Sequence, residues 1–248
     1  MSHRDSVIKK NKELKKPMDL MNIGFVGAAA KVVDPSIILD DGFSSSSGWT
    51  HIGGQSQTSI TGGELVVNNS QGHVLDQMTK SLGQTLDNTW LAQIDWKRTA
   101  YSGSGGGEAV PLAVLSGNGG LWDWYGGTGG STDDAIAITH WSTAYGMAVR
   151  TGNGNNYSIS TSISLPSSGT WHYLTLERVD QNTVKLSVFT DSARTTHASN
   201  SPHTWDISSY GSAITGLSYV STGNYLANGS THYRYVTAYG DNILVRDT

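Results

Sequence analysis

Residues 171–190 read WHYLTLERVDQNTVKLSVFT, and polarity along this stretch changes with a period of two. Val184, Leu186 and Val188 alternate with Lys185 and Ser187, which puts apolar side chains on one face of an extended strand and polar ones on the other. The preceding TWHYLTLERV is built the same way, and Asp180, Gln181 and Asn182 stand between the two runs. These are turn-forming residues, so the segment reads as a β-hairpin with a short polar turn.

The same alternation extends outward. In TWLAQIDW, Trp90, Ala92, Ile94 and Trp96 fall on one side, with Gln93, Asp95 and the following Lys97 mainly on the other. YSISTSISL, ITGLSYVS and HYRYVTAYGDNILV repeat it. From about Ile37 onward a dozen or so such segments follow one another without an amphipathic helix between them. The expected fold is all-β, a two-sheet antiparallel sandwich with Trp90, Trp96 and Trp171 in its core.

Composition agrees. A chain of 248 residues is long enough for two domains, yet sandwiches of this size form one body. Thirty glycines and five prolines, with abundant Ser, Thr and Asn, suit short strands joined by turns. The absence of cysteine removes disulfide frameworks, thiolate metal sites and Cys nucleophiles together. Residues 1 to 34 carry seven Lys/Arg against four acids, the remainder nine against sixteen. A basic arm, 1–34, therefore precedes an acidic body, 35–248, and the acidic body argues against nucleic acid as a partner.

Three readings compete for the arm. A secretory leader would use Lys15 and Lys16, an apolar run and Ala28-Ala29-Ala30 as cleavage site, but Asp19 and Asn22 interrupt a core that is already short. A membrane span needs roughly 20 apolar residues, and MNIGFVGAAAKVV falls well short. The preferred reading is an extended arm ordered by assembly, which implies a homo-oligomer or larger protein assembly through residues 1–34. Glycine clusters at 102–107, 117–120 and 126–130 read as loops at one end of the sandwich, where binding groups are usually carried.

Four stretches in order resemble the concanavalin A-like lectin/glucanase superfamily, in its laminin-G-like jelly-roll branch. ILDDGFSSSSGW (38–49) is similar to the first strand and its loop, and GGELVVNN (62–69) to the second strand. SGTWHYLTLERVDQNTVKLSVFTDSA (168–193) is similar to the central hairpin, and GDNILVRD (240–247) to the terminal strand that pairs with the first. The resemblance covers about residues 37–248 and implies two curved sheets, often glycan-binding and often with a structural calcium. Pairing of first and last strands would bring Asp40 or Asp41 toward Asp241 as a calcium set of hard oxygens. The alternative is that these aspartates cap turns and discourage edge pairing.

Catalytic chemistry finds little support. The Glu-x-Asp-x-x-Glu run of the glycosidase branch is absent. Only Glu13, Glu64, Glu108 and Glu177 occur, none at the spacing that would give a paired-carboxylate mechanism. Asp133 and Asp134 are adjacent, so on a strand they would face opposite ways. There is no Gly-x-Ser-x-Gly, no His-Glu-x-x-His and no phosphate-cradling glycine motif. His172 and His232 read as sheet residues rather than ligands. No catalytic residue is assigned.

For glycan binding the strongest motif is LWDWYGG, where Trp122 and Trp124 share one face, Asp123 takes the other, and Asn118 and Tyr125 would complete the site. The competing reading places both tryptophans in the core. A tyrosine row, Tyr233, Tyr235 and Tyr239, suits either core or contact. The first functional reading is a non-catalytic structural protein at a virion surface, a capsid-decoration or fibre component anchored by its arm and contacting cell-surface glycan. The alternative is an extracellular, secreted carbohydrate-binding or adhesion module, and a glycoside hydrolase rests on the superfamily alone.

Overall fold

The computed structural model describes residues 34, 36–54, 56–71, 76–102, 109–119, 133–140, 144–152, 157–159, 163–164, 168–224 and 235–248. Residues 1–33, and with them the arm, lie outside this set, as do most of the glycine clusters.

Sixteen strands and no helix occur among the described residues: β1 (Ile37–Asp41), β2 (Trp49–Gly53), β3 (Thr58–Thr61), β4 (Glu64–Gln71), β5 (Asp76–Ser81), β6 (Trp90–Ser102), β7 (Ala109–Leu115), β8 (Ala135–His140), β9 (Ala144–Arg150), β10 (Tyr157–Ile159), β11 (Ile163–Ser164), β12 (His172–Asp180), β13 (Thr183–Phe189), β14 (His203–Asp206), β15 (Tyr219–Asn224) and β16 (Tyr235–Asp247). All pairings are antiparallel. The first sheet runs β14-β13-β12-β6-β16-β4-β3 with β1 also on β16, and the second runs β10-β9-β8-β7-β15-β5-β2 with β11 also on β9.

The hairpin that decides the fold is β12–β13, closed by Gln181 and Asn182 with Asp180 opposite Thr183. Asp180 Oδ1 accepts the Asn182 amide at 2.7 Å, which fixes the tight turn as an Asx-type bond. Alternation then sorts the side chains. Val184, Leu186 and Val188 are buried, as are Trp90, Ala92, Ile94 and Trp96 of β6, and they meet Ile136, Ile138, Tyr145, Met147 and Val149 of the second sheet in one continuous core. Burial of this kind contributes about 25 cal/mol per Å² of apolar surface.

First and last strands pair as the resemblance implies, with Asp41 opposite Ile243 and Asp40 opposite Leu244. Two expectations change. ITGLSYVS is strand only from Tyr219, while Ile214 and Leu217 are buried in the loop before it. Trp171 is not a core residue. It precedes β12 on the outward side and is half-buried under the ammonium of Lys97, 4.4 Å from the ring centroid.

Candidate functional site

The outward row of the hairpin continues across β6 and forms the floor of a groove of about 340 Å³ on the outer face of the first sheet. Register places Gln93 opposite Thr175 and Glu177 opposite Lys185, so four polar side chains stand side by side. Gln93 Nε2 donates to Thr175 Oγ1 at 3.1 Å, and Lys185 pairs with Glu177 across the strands. Ser187 completes the floor.

One wall is built by the chain after β13. Asp191 accepts the amides of Thr195 and Thr196, the latter at 2.6 Å, and Ala198 N returns to Val188 O at 2.8 Å. These bonds fold residues 190–202 back over the sheet. The His197 ring then lies on Phe189 with centroids 4.4 Å apart. Arg194 reaches Asp95 Oδ1 at 2.6 Å and lies 5.7 Å from the Tyr173 centroid, and Asn242 Nδ2 donates to the other Asp95 oxygen at 2.9 Å. The groove thus combines an aromatic wall, His197 exposed over a half-buried Phe189, with paired charges and an amide, a surface that can hydrogen-bond hydroxyls in both directions.

A second polar cluster lies inside the sandwich. Trp96 Nε1 donates to His140 Nδ1 at 3.0 Å, and Tyr145 OH lies 3.2 Å from His172 Nδ1. Burial, with the nearby Arg98 charge, pushes His140 well below the ordinary histidine range and lowers His172. Burial raises the Tyr145 phenol. Tyr145 is 0% and His172 3% exposed, so the pair lies within the packed interior.

Among the sequence-predicted residues, Trp122, Asp123, Trp124 and Tyr125 lie outside the described set. Asn118 is exposed beyond β7. There Asp133 accepts the Gly119 amide at 3.1 Å, and a Cβ on Gly117 would come within 2.3 Å of the same carboxylate. Asp134 joins two further segments by accepting the Gly152 amide at 2.6 Å and the Thr215 amide at 2.8 Å.

Asp40, Asp41 and Asp241 are not brought together as a calcium set. Asp41 accepts Lys80 Nζ at 2.6 Å, Trp49 Nε1 at 3.0 Å and the Phe43 amide at 2.7 Å. Burial opposes ionisation there, and these donors outweigh it and hold the carboxyl below its usual range. Asp40 is exposed. Asp241 stands opposite Asp95 in the β6 register and caps its own neighbour, Asn242 N, at 2.8 Å. Burial and the Asp95 and Glu64 charges raise its carboxyl against that one bond. Among the described residues no group of three or more His, Asp or Glu is placed to hold a metal.

No family model matches the sequence, and no curated protein matches it. Solved structures do match. A botulinum neurotoxin type C structure, described for its interaction with two ganglioside molecules, superposes with a TM-score of 0.54 at 9% identity, covering 86% of this chain and 48% of that one. Alginate lyase A1-II′ gives 0.51 at 12%, covering 79% of this chain and 85% of the lyase. The fold is a concanavalin A-like jelly roll. The botulinum neurotoxin serotype D binding domain gives 0.50 at 11%, again covering 86% and 48%. The chain therefore spans about half the length of the toxin chains it matches, and at these identities the likeness is one of jelly-roll fold.

Proposed function

We propose that this jelly roll is a non-catalytic saccharide-contacting module, and that its contact surface is the outer-face groove floored by Gln93, Thr175, Glu177, Lys185 and Ser187. The observation that carries the reading is the pairing of amide, hydroxyl and ion-paired groups with the stacked Phe189–His197 wall, since sugars present hydroxyls at their rim and an apolar face to an aromatic ring. The structural neighbours, a ganglioside-interacting toxin and an alginate lyase, add support from the same fold. Non-catalytic action is supported by the carboxylates at the groove. Glu177 is paired with Lys185, and Asp95 is held by Arg194 and Asn242, whereas glycoside hydrolysis requires one carboxyl to give a proton and another to attack or activate water.

Binding of a glycan panel to the full chain tests the site. Gln93→Ala and His197→Ala are expected to weaken the retained glycan tenfold or more, about 1.4 kcal/mol, with unchanged thermal unfolding. Trp122→Ala and Trp124→Ala supply the contrast: loss of binding in those variants alone would move the site from the groove to the LWDWYGG motif.

The display reading is that the module sits on a particle surface, a virion decoration or fibre component anchored by residues 1–34. It is supported by the basic arm preceding an acidic body. Light scattering on the full chain is expected to show a homo-oligomer or larger assembly, and removal of residues 1–34 to give a dispersed monomer. A full chain that is itself monomeric would rule this anchoring out.

A further inference from the structure

Beside the groove, on the same outer face, a lysine is held between two aromatic rings. Lys97 Nζ lies 4.4 Å from the Trp171 centroid and 4.8 Å from the Tyr239 centroid. Backbone pairing fixes the arrangement: Tyr239 is opposite Lys97 in the β16–β6 register, and Trp171 precedes His172, which is opposite Trp96. All three side chains are half-buried, so each keeps a solvent-facing part. On the same face, Lys185 is paired with Glu177 and Arg194 with Asp95. Among the described residues Lys97 makes no ion pair.

Neither carboxylate nearest along the strands pairs with it. Asp95 is ion-paired with Arg194 and accepts from Asn242, and Asp241 accepts its neighbouring amide. Two ring faces hold the ammonium in place by cation–π attraction without consuming its donors, so it remains able to receive an anion. Gln93, in the groove, lies four residues back along β6, about 13 Å at the rise of a strand. That is the span of an oligosaccharide, with Tyr173 and Arg194 between.

We propose that Trp171, Lys97 and Tyr239 form a subsite for an acidic sugar of the oligosaccharide that occupies the groove. The carboxylate or sulfate would rest on Lys97 and the apolar face of the ring on Trp171 or Tyr239. This rests on the saccharide-binding reading above. It adds the ligand class, an anionic glycan, and the residue that selects it.

The test is equilibrium binding of the full chain to paired glycans: uronate-, sialate- and sulfate-bearing oligosaccharides beside their methyl-esterified or desulfated neutral counterparts. At least one acidic member is expected to bind ten times more tightly than its neutral partner. Lys97→Met, which keeps the aliphatic stem against the rings, should abolish that preference, retain the weaker neutral binding and leave thermal unfolding unchanged. Lys97→Arg should restore the preference. Equal binding of acidic and neutral members, or a preference that survives Lys97→Met, overturns the subsite while Gln93→Ala still reports on the groove. If no glycan of either kind binds, the parent reading falls and the subsite with it.

Discussion

Arg178→Ala is expected to destabilise the sandwich by ~3–5 kcal/mol, the range for opening a core cavity and leaving buried acceptors unmatched. Arg178 is 2% exposed and occupies the inward row of β12 after Leu174 and Leu176. Its guanidinium donates to Ile214 O at 3.2 Å, Gly211 O at 2.9 Å and Gln181 O at 3.3 Å. Burial works against its charge, and Asp180 and Asp134 partly offset this. The three carbonyls come from the hairpin turn and from the loop before β15, which are pressed so close that a Cβ on Gly211 would stand 2.1 Å from Gln181 O. Water has little room to replace the guanidinium there, so the cost of the lost hydrogen bonds is not relieved by hydration. Arg178→Met separates the two contributions. It restores much of the volume and should recover about half of the loss. Urea unfolding followed by tryptophan fluorescence measures both, and a shift of under 1 kcal/mol for Arg178→Ala would show that the carbonyls find other partners.

As pH falls from about 6.5 to 5.5 the sandwich is expected to lose stability. His140 and His172 are held neutral because burial, reinforced by Arg98, lowers both. In the unfolded chain each takes a proton near its ordinary pKa of about 6.5. Below that value the unfolded state binds more protons than the folded one, so the contribution is complete above pH 6.5. It is then lost as pH falls toward the folded values, at ~1.4 kcal/mol per pH unit for each proton taken up. His140→Gln keeps an acceptor for the Trp96 indole while removing one titrating group, and it should flatten the profile by one proton. Denaturant midpoints at pH 7.5, 6.5 and 5.5 decide the matter; a level wild-type profile would mean that these histidines reach water in the folded state.

How far the fold could be read in advance depended on which periodicity carried it. The alternation in residues 171–190 and in Trp90–Trp96 is a local signal, and the hairpin, its register and the buried tryptophan row follow from it. The pairing of the first strand with the last was legible through resemblance, not through any local feature, and its register, Asp41 opposite Ile243, came only from the structure. Arg178 illustrates the limit. Its inward position follows from alternation with Leu174 and Leu176, but the convergence of Gly211 O and Ile214 O on its guanidinium exists only after the loop before β15 has docked. Trp171 was misread because hydrophobicity ranks it with Trp90 and Trp96, while its place just before β12 turns it outward onto Lys97. The groove was invisible for a related reason. Thr175, Glu177, Lys185 and Ser187 look like any solvent-facing row, and what makes them a site is Arg194 reaching Asp95, 99 residues away.

Strand β16 lies between β6 on one side and β4 followed by β1 on the other, and it comes later in the chain than every strand it joins. During synthesis the first sheet must therefore wait, split in two with the facing edges of β6, β4 and β1 unpaired, until β16 has left the ribosome. Unpaired edges invite pairing with other chains, and closure over such sequence separation is slow. A messenger that stalls shortly before codon 235 would release a chain whose hairpin β12–β13 is complete and whose sheet is not, and aggregation is the fate expected of that product.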